Sequence, residues 1–294
     1  FLFTIISLSL APHMSNSETY QIKDKSEPTF ERKPLPRPLI LTQQLLKEQV
    51  QKERQPNMHT AAKYVKEGNY SSALIELQPL AREGIADAQA LLGYMHLHGM
   101  GTKQDNETAF FWLNKSAEQG VVESYTLLGF MHLDGTAGAG KNGKEAEKWF
   151  LKASLRGLGE AQFQLAYLYD HGLHGATHDP NAAFTWYKRS ATLGHPRAQH
   201  NLALFLLKGK GGAKQNPEEA LEWLQRSAAQ NHKTSQRSLA GIYFLGEVVE
   251  QNLLYAYMWA SLSFTHDPED PTSKIFQIIT KYMSESEIKI GKEL

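Results

Sequence analysis

Small and apolar residues recur along most of the chain at an interval of 36 or 37 residues. Within one interval, Ala109, Trp112, Leu113, Ser116 and Ala117 are spaced so that they fall on one face of a helix. The alanine that opens this set occurs six times: Ala73, Ala109, Ala146, Ala183, Ala220 and Ala256. All five tryptophans of the chain lie three residues after it: Trp112, Trp149, Trp186, Trp223 and Trp259. This regularity predicts an array of similar helical units.

Each unit is predicted to contain two helices with defined ends. The first should begin after an Asn or Asp whose side-chain oxygen accepts hydrogen bonds from the first turn: Asn69, Asp105, Asn142, Asp179, Asn216 and Asn252. It should end at a residue in the left-handed conformation: Gly84, Gly120, Gly157, Gly194 and Asn231. The second helix should begin near Ala88, carry Leu92 and the small Gly93 so that two helix backbones approach closely, and end at Gly99.

The segment from Ala88 to Gly120 carries the pattern A-x-x-x-L-G-x-M…G-x-G…D…A-x-x-W-x-x-K-S-A-E-Q-G. This pattern resembles the Sel-one-like repeat (SLR), a relative of the tetratricopeptide repeat, and the resemblance covers residues 69–264. It implies an all-α protein, a right-handed α/α superhelical solenoid of about five to six helix-turn-helix repeats with helical caps. It also implies a protein-binding or adaptor role, and it does not imply catalysis.

The segments outside the repeats divide the chain further. Residues 1–11 are apolar and resemble the hydrophobic part of a truncated secretory signal, with the end of a membrane anchor as the alternative. Residues 12–38 hold five of the twelve prolines and are predicted to be a disordered linker. Residues 39–68 should form N-terminal capping helices, residues 69–264 the solenoid, and residues 265–294 C-terminal capping helices. Ser284 and Glu287 have the spacing of a capping box for the last helix.

Charge and cysteine content narrow the classes of function. Lys and Arg together number 31, as do Asp and Glu, so the net charge is zero. This argues against a nucleic-acid-binding protein, which normally has a basic face. The chain has no cysteine, which excludes a disulfide framework, a thiol nucleophile and a thiolate metal site. No cofactor, metal or small-molecule substrate is expected.

Two loops carry motifs that need a structural context. His171, His174 and His178 are residue types that bind metals, but they lie in a predicted loop, and a solvated loop is the preferred interpretation. The segment Gly135–Lys141 fits the first part of a phosphate-binding loop. That motif needs a strand before it and Ser or Thr after the lysine, whereas here a helix is predicted before it and Asn142 follows. A flexible connector is therefore expected. The tryptophans are predicted to be core residues that stack neighbouring units.

The resemblance to tetratricopeptide proteins implies that the second helix of each unit lines a concave groove. Positions of that helix that vary between units are predicted to bind a partner peptide. They are Asp87, Tyr94, Glu123, Phe130, Glu160, Phe163, Tyr167, Arg197, His200 and Arg237. The first half of the groove would be acidic and aromatic, and the second half more basic. The alternative is that these residues only complete the surface.

Two classes of function remain. The favoured one is a non-enzymatic bacterial adaptor that is exported, periplasmic or envelope-associated, binds another protein or peptide, and touches a membrane only through an N-terminal anchor. A cytoplasmic regulatory adaptor is an alternative. The rival class is an enzyme like the cysteine-rich relatives linked to β-lactam hydrolysis. This chain lacks cysteine, and its one S-x-x-K segment, Ser286–Lys289, has no S-D-N or K-T-G partner.

Overall fold

The computed structural model describes residues 56–136, 138, 140–264 and 270–293. Throughout these residues the regular elements are helical, and 14 α-helices follow one another without a strand. The predicted all-α fold class is therefore confirmed. The signal-like segment 1–11, the linker 12–38 and the first part of the predicted N-terminal cap lie outside the described residues. No described helix has both the length and the apolar character needed to span a membrane.

The helices have nearly uniform lengths. They are α1 Met58–Lys66, α2 Tyr70–Arg82, α3 Ala86–His98, α4 Asn106–Glu118, α5 Val122–Asp134, α6 Gly143–Leu155, α7 Gly159–His171, α8 Pro180–Thr192, α9 Pro196–Lys208, α10 Pro217–Ala229, α11 Lys233–Leu245, α12 Leu253–Ser263, α13 Pro271–Lys281 and α14 Glu285–Gly291. A short 3-10 turn, Leu173–Gly175, lies between α7 and α8. The helices from α2 to α11 are each 13 residues long, so length variation between units is confined to the loops.

The predicted helix ends are confirmed. The side chain of Asp105 accepts from the backbone N–H of Thr108 at 3.0 Å, and the other five predicted Asn and Asp caps make equivalent bonds. Asn231 has a φ of 62°, in the left-handed region that the four glycines of this register also occupy. Ser284 and Glu287 form the predicted capping box.

The described helices belong to two compact units, residues 1–140 and residues 141–294, called here the N-terminal and C-terminal units. In the N-terminal unit, α3 packs against α2 and α4. A Cβ atom on Gly93 of α3 would lie 2.7 Å from Cγ of Leu113 on α4. Glycine is required there because the two helices approach too closely for a side chain.

In the C-terminal unit, consecutive helices pack in the same way from α8 to α12, and α12 also packs against the last two helices, α13 and α14. Its main core contains the fully buried Tyr187, Leu202, Leu224 and Leu239. A second cluster joins Tyr257 of α12 to Ile279 of α13 and Ile288 of α14.

Glutamines tie four of the five second helices, α3, α7, α9 and α11, to the helix before them. The side-chain amides of Gln89, Gln162, Gln199 and Gln236 each donate to a backbone carbonyl eight residues earlier, at 3.0, 3.1, 3.2 and 3.1 Å. All four side chains are buried, so these bonds are shielded from water and fix how the two helices meet.

The tryptophans differ from the prediction that they are core residues. All five are only partly buried. The fully buried position is the next residue along the chain, which is Leu113, Phe150, Tyr187 and Leu224 in successive units. Three of the indole rings have a cation over one face, with Lys152, Arg189 and Arg226 at 4.0, 4.6 and 4.6 Å from the ring centroids. The tryptophans therefore border the core, and basic side chains cover part of their outer surface.

Candidate functional site

The predicted groove residues of the N-terminal unit differ in exposure. Tyr94 is 2% exposed, with its ring 4.4 Å from that of His98. Nine of the thirteen residues of α3 are buried, so this helix presents little open surface. Asp87 is exposed, whereas Glu123 and Phe130 are partly exposed. These three are the predicted groove residues of this unit that a partner could reach.

The predicted groove residues of the C-terminal unit are organised around Phe163. This side chain is 1% exposed, and the His195 ring stacks on it with a centroid distance of 4.8 Å. The guanidinium carbon of Arg197 lies 4.4 Å from the centre of the same ring. Tyr167, one turn along α7, is partly exposed and stacks on His171 at 4.1 Å.

Glu160 accepts hydrogen bonds from its own helix, α7, and from the residue that precedes α9. Nε2 of His195 donates to Oε2 of Glu160 at 2.8 Å, and Nε2 of Gln164 donates to Oε1 at 2.6 Å. Nδ1 of His195 accepts from the backbone N–H of Ala198, which fixes the ring proton on Nε2. Burial raises the pKa of Glu160, but the hydrogen bonds from His195 and Gln164 and the charge of Arg197 lower it further, so the net shift is downward.

A second polar network joins α9 to α11. Nδ1 of His200 and Nδ1 of His232 lie 3.0 and 2.9 Å from Oγ of Ser235, and the two rings are 5.4 Å apart. Ser235 donates its only hydroxyl proton to Oγ of Ser227 at 2.7 Å, and Ser227 donates to the carbonyl of Pro196 at 2.7 Å. Since the Ser235 proton is already used, both imidazoles must donate to this oxygen from Nδ1.

Both histidines are held neutral. Burial lowers the pKa of His200 to about 3, with smaller contributions from His232 and Arg237. Burial also lowers the pKa of His232 to about 4, with contributions from Arg197, His195 and Arg237. The positive charge at this place is therefore carried by the two arginines. We call Arg197, His200, His232 and Arg237 the basic cluster.

The carboxylates near the basic cluster already have partners. Glu160 is bonded to His195, and Asp170 forms an ion pair with Lys210 and lies 3.5 Å from the hydroxyl of Tyr187. Within the described part of the chain, neither Arg197 nor Arg237 has a carboxylate close enough for an ion pair. The predicted basic second half of the groove thus corresponds to two arginines without a direct counter-ion in this structure.

The sequence prediction named Arg197, His200 and Arg237 but missed His195, His232 and Ser235. A signal for the two histidines was present in the repeat. The residue just before the second helix is apolar in three repeats and histidine in the last two: Ile85, Val121, Leu158, His195 and His232. A change from apolar to imidazole at one register indicates a local polar function that the repeat itself does not require.

Neither the glycine-rich loop nor the histidine-rich loop lies in the structural surroundings that phosphate or metal binding needs. Gly135–Lys141 follows helix α5, whereas a phosphate-binding loop follows a strand. Nδ1 of His171 lies 3.0 Å from the carbonyl of Tyr167, and His178 is exposed. Among the described residues, no group of three His, Asp or Glu side chains is placed to hold a metal ion.

Comparisons with known proteins agree with this architecture. The Sel1 repeat family model matches residues 86–121, 122–158, 159–195, 196–232 and 234–265. A Sel1 repeat protein from Oxalobacter formigenes has a crystal structure with a TM-score of 0.67 and 26% identity, and the match covers 79% of this chain and 99% of that one. A protective antigen of uropathogenic Escherichia coli with an SLR fold has a TM-score of 0.51 and 26% identity.

The match to the Escherichia coli antigen covers 76% of this chain and 55% of that one. No curated protein sequence matches the chain. Proteins with Sel1 repeats generally act as protein-interaction scaffolds and are typically not enzymes. Five matched repeats across more than half of the sequence, together with the paired helices described above, show that this chain belongs to the Sel1 repeat family.

Proposed function

We propose that the chain is a non-enzymatic scaffold that binds a peptide-like segment of a partner protein along its second helices. The observation that carries this proposal is the contrast between two sets of positions. Core positions hold the same type of residue in every unit, as Leu92, Leu128, Leu165, Leu202 and Leu239 do. At the positions predicted to line the groove, the residue type changes from repeat to repeat, as binding of a partner with an irregular sequence requires.

The internal order of the C-terminal unit supports a binding role. Its polar side chains are fixed by hydrogen bonds between neighbouring helices, such as those of Glu160 with His195 and of His200 with Ser235. Side chains that are already ordered lose less conformational entropy when a partner binds. Tyr167 adds a partly exposed aromatic ring beside this network, and aromatic residues commonly contribute most to interface energy.

The serine and histidine side chains of this unit do not form a catalytic pair. In a serine hydrolase, the serine hydroxyl donates its proton to histidine, which acts as the base. Here Ser235 donates to Ser227, while His200 and His232 donate to Ser235. The direction of these bonds is opposite to that of an activated nucleophile, which favours a structural role.

The proposal includes export to the bacterial envelope. Its support is the apolar segment 1–11, which has the character of a signal-sequence core or an anchor. A fusion of the chain to a phosphatase that is active only after export tests this. Activity at the envelope is expected, and an inactive fusion confined to the cytoplasm would favour a cytoplasmic regulatory adaptor instead.

The groove is tested with two double variants on an array of immobilised random dodecapeptides. Phe130→Ser with Tyr167→Ser removes, from the N-terminal and the C-terminal unit respectively, a partly exposed aromatic residue predicted to bind the partner. Phe111→Ser with Tyr282→Ser removes two exposed aromatic residues, 53% and 68% exposed, that lie on α4 and next to α14. The first variant should lose most of the wild-type peptide signal and the second should keep it.

Circular dichroism and thermal melting must first show that both variants are folded. Tyr94 is left unchanged because it is buried and its removal would destabilise the chain. If the folded Phe130 and Tyr167 variant binds the same peptides as wild type with the same strength, the groove proposal fails.

A further inference from the structure

The charges of the basic cluster are unbalanced in a way that suggests an external ligand. The charge of Arg197 helps to keep Glu160 ionised, but this carboxylate accepts its hydrogen bonds from neutral His195 and from Gln164, and Asp170 forms its ion pair with Lys210. Arg197 and Arg237 each lie near enough to His232 to lower its pKa, yet neither forms an ion pair with a carboxylate in the part of the chain that the structure describes. Cations gathered around partly buried groups repel one another, and a bound anion would relieve that repulsion.

The geometry also indicates which groups would donate to such an anion. His200 and His232 both use Nδ1 to reach Ser235, so their rings are held in place on the wall of the cluster. Arg197 lies over the ring of Phe163, which orients its planar guanidinium. A guanidinium presents paired N–H donors that match the two oxygens of a carboxylate.

We propose that the basic cluster is a carboxylate-binding subsite that accepts an Asp or Glu side chain of the bound partner segment. Arg197 and Arg237 donate to the carboxylate oxygens, and His200 and His232 form the wall behind them. This inference rests on the proposed function, because it identifies the chemistry of the segment that the scaffold binds. Charge complementarity selects an acidic peptide at the C-terminal unit.

Arg197 and Arg237 both occupy positions predicted to line the groove, and both side chains are partly exposed. Arg237 stands at the same position of its helix as His200 and Phe163 do in theirs, and Arg197 stands at the position of Glu160. Two successive repeats therefore carry arginine at positions where the earlier repeat carries a carboxylate and an aromatic ring. One acidic residue of the partner segment would then bind at a fixed distance from the partner residues that contact Tyr167.

The test uses the full chain and arrays of random dodecapeptides in which the central residue is fixed as Glu, Gln or Lys. Wild type should prefer Glu over Gln by about tenfold, as expected for a charge-assisted pair, and should bind the Lys array least. Arg197→Gln with Arg237→Gln should abolish the preference for Glu while keeping the binding of Gln peptides.

The matched control removes the same charge elsewhere. Arg189→Gln with Arg226→Gln replaces two arginines that cover Trp186 and Trp223 on first helices, and it should keep the preference for Glu. If the double variant at the cluster does not fold, Arg237→Gln alone gives the same test, because Arg237 makes no hydrogen bond or ion pair within the described residues. That single variant should still reduce the preference several-fold.

The outcomes separate the two proposals. If wild type binds peptides without preferring Glu, the carboxylate subsite is wrong and the scaffold function stands. If wild type binds none of the arrays, both proposals fail together. Competition with inorganic phosphate and with acetate identifies a general anion site: displacement by phosphate without any preference for Glu would overturn the assignment of an acidic peptide.

Discussion

Lowering the pH from about 7.5 to about 5 should destabilise the C-terminal unit through His200 and His232. Their pKa values are lowered from 6.5 to about 3 and about 4 in the folded chain. In the unfolded chain both rings have an ordinary pKa, so below about pH 6.5 the unfolded state takes up protons that the folded state does not. Stability is therefore fully present above about pH 6.5 and falls as the pH decreases towards about 4.

The magnitude follows from the difference in proton binding. For one histidine with an unfolded pKa of about 6.5, the loss between about pH 7.5 and about 5 is about 2 kcal/mol, and for the pair it is about 4 kcal/mol. His200 is buried, but His232 is partly exposed, so solvent screening makes about 4 kcal/mol an upper value for the pair. The measurement stays at about pH 5 or above because carboxylates such as Glu160, whose pKa is lowered, lose their contribution only at more acidic pH.

The assay is urea unfolding of the full chain, followed by circular dichroism at both pH values. His200→Asn with His232→Asn keeps a side-chain N–H donor for Ser235 but removes the titration, so this variant should lose about 4 kcal/mol less than wild type over the interval. His178→Asn, at an exposed loop histidine, is the control and should behave as wild type does. If wild type and the double variant lose stability in parallel, the histidines are not buried as neutral groups and the argument is refuted.

Three further predictions concern the repeat itself. Leu224→Ala should lower the free energy of unfolding by about 2–5 kcal/mol. Trp223→Ala should lower it less, because Trp223 is only partly buried. Urea unfolding measures both losses, and a larger loss for the tryptophan variant would contradict the burial pattern. Asn231→Gly should be neutral or raise the melting temperature by a few degrees, since φ there is 62°, and a clear decrease would count against strain at this residue. Gly93→Ala should lower the melting temperature, because the added methyl would lie 2.7 Å from Cγ of Leu113, and a variant as stable as wild type would show that the two helices separate easily.

The fold was predictable because its signals recur. The caps Asp105 and Asn216, the glycine ends and the small residue at Gly93 each act through short-range backbone geometry, and they appear several times at one spacing. The exact burial of the tryptophans was not predictable in this way. Helical spacing places Trp112 and Leu113 on the same face, and only packing decides which of two adjacent residues points to the centre.

The candidate site was predictable only in part. Register alone identified Arg197, His200 and Arg237 as varying positions, and it predicted a more basic second half of the groove. It did not predict that His200 and His232 would share Ser235. His232 is only three residues from Ser235, but His200 is 35 residues away, and its distance from Ser235 depends on how two helices cross. Hydrogen bonds between units are set by tertiary packing, which a one-dimensional pattern does not contain.

The buried glutamines have a consequence for how a partner must be built. In the C-terminal unit, Gln162, Gln199 and Gln236 hold successive helix pairs with the same bond and nearly the same length. Each pair therefore holds its second helix in the same way, and Ser190 and Ser227 join successive pairs by donating to the carbonyls of Gly159 and Pro196, both at 2.7 Å. Side chains on α7, α9 and α11 are thus presented at a regular interval. A partner segment must place its own contact residues at a matching interval, so inserting one residue between them should weaken binding more than changing a residue in the gap.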